Sequence, residues 1–491
     1  MKYLSFDLKW KLSGMIFLLS CLLGQAHTKQ FIGIQELTFT SSLMKTKTYK
    51  DTVKISFHSK QITKKVSDYM IGFNMSYYHD KDDLWVGGKI ANKLKEVKTS
   101  FLRYPGGAET SYFHWQYAGC PGYKDLWNPK HKIVKDEISD ITENMDTDEF
   151  IYLCKQIGAE PLLGVNVLSG IVNNKLKESL QEVKNWMIYC KSKGYKVKYW
   201  YLDNEVNHWG SYTQISVEEY AKLINLYSET MKAINPDIKL IINWLGNPQQ
   251  PAIQELIKLA GKSFDIIDLH FYYGWDIANW KTWLDQQPMA DQYTNLTYTD
   301  LINSLSTYIR SSENPAIEIA CLEWNIGPTK ADTLSDYKQA MMQTEMFQQF
   351  LMSDLKMASV WPLIWNVEKG SFPSILNQKD YSTTPIFEIF KLYSVVLGKK
   401  IIASKTTDKR ILPQCFTNNK SIWICALNKS ENELPVRIEK IKSYSNVKIH
   451  IVSSDDINGN QCHVMTHDVK VEDNMISFIV PPSSFFRVDL E

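Results

Sequence analysis

Short apolar runs alternate with longer amphipathic stretches over most of the chain after Asp68. Eight runs have the length and the β-branched or aromatic content of buried strands, beginning at Met70, Ser100, Pro161, Val197, Ile238, Phe264, Ala316 and Met357. The stretches between and after them show helical spacing: 148–157, 177–193, 217–234, 253–262, 299–312, 336–354 and 385–397. Eight strand–helix units predict a closed, parallel (β/α)8 barrel of the TIM type over residues 67–398. An open dinucleotide-binding sheet is the weaker alternative, because no GxGxxG follows a strand.

The pattern changes after Leu397, where short β-branched runs are separated by Asn, Asp, Gly and Lys turns and no helical spacing remains. This predicts a C-terminal all-β sandwich domain over residues 399–491. Residues 27–66 are polar apart from one alternating run, 52–59. We expect that run to form a strand that joins the β-domain.

The N-terminus has the pattern of an export signal over residues 1–26. Three lysines precede a short apolar run, 12–23, which is too short to span a bilayer comfortably. Cleavage after Ala26 is one interpretation, and a lipobox ending at Cys21, which would make the protein a lipoprotein, is the other. Either way, we expect a periplasmic, outer-surface or secreted protein. No later run is apolar enough to form a transmembrane segment.

Composition narrows the class of partner. The net charge is +1 and no basic cluster stands out, which argues against nucleic acid. Aromatic residues make up 12% of the chain, which suits flat sugar faces as well as barrel packing. The eight cysteines form no CxxC pair. Four lie in apolar segments and are expected to be buried thiols (Cys154, Cys190, Cys321, Cys425), whereas pairing among Cys120, Cys415 and Cys462 stays open. Composition does not define the oligomeric state.

Two glutamates end predicted barrel strands. Glu205 follows the fourth, in KYWYLDNEVNHW, and Glu323 ends the seventh, in AIEIACLEWN. The carboxyl ends of barrel strands form the face where active sites lie. Two carboxylates on that face can flank one glycosidic bond, at about 5–5.5 Å for a retaining reaction or about 6.5–9.5 Å for an inverting one. A single such glutamate is more often a solvated loop residue, so the pair carries the hypothesis.

Further candidate residues lie at or near the ends of the predicted barrel strands: Asn74, Arg103, Asn204, His270, Tyr272, Trp361 and Trp365. An arginine beside a carboxylate lowers that carboxylate's pKa, which would keep Glu323 charged. The Tyr272 hydroxyl can orient the same group, and Asn204 can bond a sugar hydroxyl. Trp361 and Trp365 can form a sugar platform or fill the barrel. A metal-dependent hydrolase would need clustered ligands, and His270 with Asp268 is only a weak match, so no metal or cofactor is expected.

This set of strand-end residues resembles glycoside hydrolase clan A. Within the clan, RYPGG, KYWYLDNE, DLHFYY and CLEWN are most similar to the α-L-arabinofuranosidases. The resemblance covers residues 67–398 and implies a retaining double displacement on a plant or algal polysaccharide or its oligosaccharides. It also implies that Glu205 is the acid/base and Glu323 the nucleophile, with Arg103, Asn204, His270 and Tyr272 in support.

Two departures leave the sugar open. In those arabinofuranosidases an Asn follows RYPGG, but here the residue is Ala108, and the first strand offers Asn74 and Ser76 but no Glu. The subsite for the terminal sugar is therefore expected to differ. Alternatives within the clan are endo-acting agarases or porphyranases, and glucuronidases or xylosidases. A carbohydrate-binding barrel without catalysis is the alternative from another class.

Overall fold

The computed structural model describes residues 52–75, 88–117, 125–128, 130, 145–208, 212–329, 334–365, 372–377, 379–439, 441, 444 and 446–491. The predicted signal segment, including Cys21, and most of residues 27–66 lie outside these ranges, as do Ser76 and Cys120. The side chain of Trp365 also lies outside the description.

A long strand, β1 (Val53–Lys65), precedes eight parallel strands that close into a barrel in sequence order. The barrel strands are β2 (Tyr69–Asn74), β3 (Phe101–Tyr104), β4 (Glu160–Val165), β5 (Tyr199–Leu202), β6 (Lys239–Asn243), β7 (Ile266–Tyr273), β8 (Glu318–Ile326) and β9 (Leu355–Val360). Each overlaps one of the eight predicted apolar runs. Side chains such as Phe101, Leu162, Tyr201 and Ile241 fill the barrel interior. Their neighbours along the strands, such as Trp200 and Ile242, pack outward, so both faces of each strand are buried.

Ten helices lie in the described chain: α1 (Lys89–Glu96), α2 (Thr147–Ile157), α3 (Leu168–Val172), α4 (Leu176–Ser192), α5 (Val217–Lys232), α6 (Pro251–Ala260), α7 (Trp280–Asp285), α8 (Tyr298–Ser311), α9 (Asp336–Met352) and α10 (Pro385–Tyr393). Three 3₁₀ turns cover Ala108–Tyr112, Trp115–Tyr117 and Ser394–Val396. Capping boxes fix the starts of α2 and α5, through Asp146 with Glu149 and Ser216 with Glu219. All seven predicted helices are present, and α1, α3 and α7 are additional.

After the barrel, two short strands, β10 (Ile364–Trp365) and β11 (Leu376–Asn377), pair with each other. The C-terminal part then forms one nine-stranded sheet. Its strands are β12 (Lys400–Thr406), β13 (Ile411–Thr417), β14 (Ile422–Asn428), β15 (Leu434–Glu439), β16 (Val447–Ser453), β17 (His463–Asp468), β18 (Met475–Val480) and β19 (Ser484–Leu490), and they are joined by β1. The order is β17-β16-β19-β14-β13-β12-β1-β15-β18.

This sheet folds back on itself. Phe478 on β18 and Phe486 on β19 lie six strands apart in the sheet order, yet their ring centroids are 5.4 Å apart. Both rings belong to one apolar core that also includes Val53 and Ile55 of β1. The all-β domain therefore has two facing layers built from one hydrogen-bonded sheet. The predicted fold class, a (β/α)8 barrel with a C-terminal all-β domain, is confirmed.

Helix α9 lies between the barrel and the β-domain and contacts both. It is buried on nearly every side, and its buried residues include the polar Gln343, Glu345 and Gln348 as well as apolar ones. Its Glu345 accepts a bond from Lys429 of the β-domain at 2.7 Å, with both side chains almost inaccessible to solvent. Breaking such a buried pair leaves an uncompensated charge, so the pair fixes how the two parts meet.

The cysteines of the described chain are all unpaired. Cys154, Cys190, Cys321 and Cys425 are buried thiols, and Cys415 and Cys462 form no disulfide with each other. Within the same residues, no helix has the length and apolar content needed to cross a membrane.

Candidate active site

Glu323 lies near the carboxyl end of β8 and is 5% exposed. Arg103 of β3 donates from Nη1 to its Oε1 at 2.5 Å, and Tyr272 of β7 donates from its hydroxyl to Oε2 at 3.0 Å. Burial alone would raise the pKa of Glu323. The charges of His270 and Arg103, together with bonds from Arg103 and Tyr272, nevertheless hold that pKa below its usual range. Glu323 is therefore an ionised carboxylate at neutral pH.

Arg103 is fully buried and held from several directions. Its Nη1 also donates to Asn74 Oδ1 at 2.9 Å, Nη2 donates to Asn204 Oδ1 at 2.6 Å, and the guanidinium lies 4.3 Å from the centre of the Tyr201 ring. The amide of Asn74 donates in turn to the Leu322 carbonyl at 2.6 Å. Asn74 and Asn204 thus support Arg103 through their side-chain oxygens.

Glu205 follows β5 in a turn with unusual backbone geometry. Asp203 and Glu205 both have positive φ, 60° and 46°, which costs free energy in residues other than glycine. The buried Asp203 carboxylate compensates by accepting the backbone N–H groups of Val167, Leu168 and Asn204, each at 2.7 Å. The Glu205 N–H donates to Asn243 Oδ1 at 2.8 Å. These bonds fix the turn that directs the Glu205 side chain inward.

His270 of β7 lies between the two glutamates. Its Nδ1 is 2.7 Å from Glu205 Oε1 and 3.6 Å from Glu323 Oε2, and its Nε2 is 3.0 Å from Asp268 Oδ2. One oxygen of Glu205, one of Glu323 and a ring nitrogen of His270 all lie within 4.8 Å of one another. That separation of the carboxylates is close to the retaining geometry and well short of the inverting one.

The same three side chains offer the donor types that metals use, so a metal-dependent reaction needs a separate test. Burial would lower the pKa of His270, but the charges of Glu323 and Asp268 and bonds to Asp268 and Glu205 raise it to about 10. In the absence of a metal ion the ring is therefore protonated at neutral pH, and a metal would have to displace that proton. Glu323 already shares an oxygen with the Arg103 guanidinium. The hydrogen bonds and charges of these side chains fit proton chemistry.

Two aromatic side chains pack against Tyr272, the residue that donates a hydrogen bond to Glu323. The Tyr272 ring contacts Trp275 and Phe372, with centroids 5.3 and 5.4 Å away, and Trp275 is 40% exposed. We call Tyr272, Trp275 and Phe372 the aromatic wall. Such a surface suits the apolar face of a sugar.

Gly107 brings the loop after β3 against the same carboxylate. A side-chain Cβ at this position would lie 2.9 Å from Glu323 Oε1 and 3.4 Å from the Trp361 ring. Trp361 is itself buried, so it packs beside the site. Ala108, the next residue, is exposed. The glycine at position 107 therefore lets the loop approach Glu323 closely.

The structure brings Asn74, Arg103, Asn204, Glu205, His270, Tyr272 and Glu323 into one connected network. Sequence reasoning did not find Asn243, which holds the Glu205 backbone, and it considered Asp268 only as a weak metal ligand. Both are polar residues inside apolar strand runs, IKLIINWL and FDIIDLHF. That pattern is the signal that would have found them.

Comparison with known proteins agrees with this site. The α-L-arabinofuranosidase 1 domain model matches residues 93–294. α-L-Arabinofuranosidase C of Emericella nidulans is 31% identical over 207 residues, which covers 37% of this chain and 38% of that protein. An intracellular exo-α-L-arabinofuranosidase of Bacteroides ovatus is 25% identical over 346 residues, covering 62% of this chain and 63% of that protein. The chain is similar to the α-L-arabinofuranosidases. The resemblance inferred from the sequence is confirmed.

The similarity extends further in structure than in sequence. The crystal structure of α-L-arabinofuranosidase from Thermotoga maritima, in its arabinose complex, superposes with a TM-score of 0.72 at 19% identity, covering 90% of this chain and all of that one. The likeness includes the barrel and the β-domain. The sequence alignments span less than two thirds of either curated relative named here.

Proposed function

We propose that this protein is a retaining glycoside hydrolase that releases α-L-arabinofuranosyl groups from plant glycans. One observation carries the proposal: Glu205 and Glu323 leave different strands of the barrel, and their carboxylate oxygens come within 4.8 Å of each other at the open end. The similarity to α-L-arabinofuranosidases supports the choice of sugar.

In the first step, a Glu323 oxygen forms a bond to the anomeric carbon as the bond from that carbon to the leaving oxygen breaks. Glu205 gives its proton to the leaving oxygen. In the second step, Glu205 takes a proton from water while the water oxygen attacks the anomeric carbon and Glu323 departs as a carboxylate. Arg103 and Tyr272 hold Glu323 through both of its oxygens, which favours the charged form it regains.

The sugar assignment depends on how the terminal residue is held. Asn74 is engaged with Arg103 and the Leu322 carbonyl, and Ala108 supplies no hydrogen bond from its side chain. The aromatic wall and Gly107 would then define the shape of the sugar subsite. Polar contacts to the sugar would come from Glu205, Glu323 and the groups beside them. Xylosides, glucuronides and algal galactans belong in the same assay, because this subsite differs from the arabinofuranosidase pattern.

The test is a screen of aryl glycosides and polysaccharides, followed by NMR of the first product formed. We expect the 4-nitrophenyl α-L-arabinofuranoside to react fastest and the product to keep its anomeric configuration. Glu205→Ala should remove the alkaline limb of the rate profile. With an activated aryl substrate, added azide should restore the turnover of the Glu205→Ala variant. The product should be the glycosyl azide of retained configuration.

Glu178→Ala, which alters an exposed glutamate of α4 paired with Lys175, is the control and should behave as the parent protein does. An inverted product, or a Glu205→Ala variant with unchanged activity and pH profile, would remove the proposed mechanism. Faster reaction with another glycoside would keep the mechanism and replace the sugar.

We further propose that the protein is exported. The lysines before the apolar run 12–23, and the small residues that follow it, support this proposal. Cell fractionation with N-terminal sequencing should find a chain that begins at His27, or a lipid-modified chain that begins at Cys21. Full-length protein retained in the cytoplasm would contradict export, and Cys21→Ser would distinguish the two forms by removing the lipid only in the second.

A further inference from the structure

Asp268 connects three parts of the candidate site that are distant in sequence. It lies on β7 and is almost fully buried. Its Oδ2 accepts bonds from His270 Nε2 at 3.0 Å and from Asn243 Nδ2 at 3.1 Å, and its Oδ1 accepts the backbone N–H of Leu322 at 2.6 Å. Leu322 directly precedes Glu323, and Asn243 holds the backbone of Glu205. One carboxylate thus positions the bridging histidine and the supports of both glutamates.

The ring of His270 has carboxylate oxygens on both sides. Nδ1 faces Glu205 and Glu323, and Nε2 faces Asp268. A neutral imidazole carries one N–H. With that proton on Nε2, facing Asp268, the Nδ1 lone pair could be satisfied only by a proton on Glu205 Oε1. The imidazolium donates from both nitrogens and does not need that proton.

The other charged and titratable groups around His270 do not reverse the preference for the protonated ring. Arg103 on β3 is a cation, but it bonds directly to Glu323 at 2.5 Å and offsets that charge. Tyr272 presents a neutral hydroxyl to Glu323. His208 Nδ1 lies 3.9 Å from Glu205 Oε2, whereas His270 Nδ1 contacts the other oxygen, Oε1, at 2.7 Å. Three acidic side chains therefore face one buried ring.

We propose that Asp268 is a positioning residue that holds His270 as a permanent cation between Glu205 and Glu323. The inference rests on the proposed function. The imidazolium orients both carboxylates and keeps its protons throughout turnover. The proton that reaches the leaving oxygen is then the one carried by Glu205, and Glu323 keeps a fixed positive neighbour whenever it is charged. The pKa of His270, raised to about 10, agrees with this state.

The first test reads the protonation state without measuring activity. In the full chain labelled with ¹⁵N-histidine, long-range ¹H–¹⁵N spectra should show both His270 nitrogens protonated from pH 6 to pH 9. His270→Gln assigns the signals. In Asp268→Asn the ring should become singly protonated near neutral pH, because the balancing charge is gone. Asp265→Asn is the matched control: Asp265 lies next to the start of β7 and contacts Lys239 at 2.8 Å and Lys232 at 3.1 Å, so the His270 signals should not change.

The second test is kinetic. Asp268→Asn should lower kcat by roughly tenfold to a hundredfold with little change in KM, since its effect is on the orientation and charge of the reacting groups. The acid limb of the rate profile should move up by about one pH unit, because Glu323 loses a cationic neighbour. Asp265→Asn should change neither quantity.

The outcomes separate this inference from the proposed function. A wild-type ring that is singly protonated at neutral pH overturns the inference, even in an active hydrolase. An Asp268→Asn variant that keeps both the doubly protonated ring and the wild-type pH profile overturns it as well. A doubly protonated ring that becomes neutral in Asp268→Asn, in a protein that cleaves no glycoside, would sustain the inference on His270 and reject the hydrolase.

Discussion

Glu323→Gln is expected to lower kcat by about 10⁵-fold, roughly 7 kcal/mol in the activation free energy. The amide cannot form the glycosyl ester, yet it occupies the same volume and can still accept a bond from Arg103. Sugar binding should therefore change little. Steady-state kinetics on an activated aryl glycoside, with calorimetric titration of the released sugar, would measure the two effects separately.

The control for this change lies on the same strand. Glu318 begins β8 and forms a partly exposed ion pair with Lys356 at 3.2 Å. Exposed pairs of this kind contribute little, about 0–1 kcal/mol, so Glu318→Gln should keep parental turnover and stability. If Glu323→Gln kept more than a hundredth of parental kcat, Glu323 would not be the nucleophile.

Replacing Arg103 by methionine should harm stability and activity together. The change leaves the buried Glu323 carboxylate without its bonded cation, and loss of one partner of a buried pair costs about 3–5 kcal/mol of the unfolding free energy. The pKa of Glu323 would rise, because the charge and the hydrogen bond of Arg103 help to hold it down, and the acid limb of the rate profile would move to higher pH. We expect kcat near neutral pH to fall by about 10²–10³-fold. Denaturant titration and a pH–rate profile measure these effects.

The sign of the pH effect on stability follows from the depressed pKa of Glu323. A carboxyl whose pKa is lowered on folding stabilises the protein above its unfolded pKa, 4.5, and that stabilisation is lost as pH falls through the folded value. The parental protein should therefore lose this contribution only in acid below pH 4.5, whereas the Arg103 variant should lack it at neutral pH.

Two arginine controls make the test specific. Arg103→Lys keeps the charge but loses the fork that contacts Asn204 and Glu323 together, so its acid limb should stay closer to the parental one while kcat falls. Arg310→Met removes an exposed partner of Asp354, 3.0 Å away, and should cost at most about 1 kcal/mol. Equal effects of Arg103→Met and Arg310→Met on stability would show that the buried pair has no special role.

The barrel could be predicted because each strand is buried on both faces. Runs such as IKLIINWL then read as continuous apolar segments, and parallel strands bring their carboxyl ends to one face. The strands of the β-domain were harder to predict where they are buried on one face only or are mostly exposed. β17 has mainly exposed or half-buried side chains and no apolar alternation, so its sequence, HVMTHD, gives no strand signal. Helix α1 was missed because KIANKLKE buries only three of its residues.

The site could be predicted to the level of strand ends but no further. Glu205 and Glu323 were found because each follows an apolar run. The position of His270 between them depends on the barrel register and on a turn with positive φ at Asp203 and Glu205, which no residue pattern specifies. The closeness of Gly107 to Glu323 and the contact of Trp275 with Tyr272 depend on loop conformations, which local sequence determines poorly.

The place of strand β1 in the sequence affects how the nascent chain folds during translation. It is synthesised before the barrel, but both of its sheet neighbours, β12 and β15, are synthesised after the barrel. While the barrel emerges from the ribosome, β1 therefore has two unpaired edges and carries Val53 and Ile55, which the finished protein buries. Unpaired strand edges with apolar side chains are templates for association with other chains. The nascent protein is thus open to association through β1 until β12 and β15 have been synthesised.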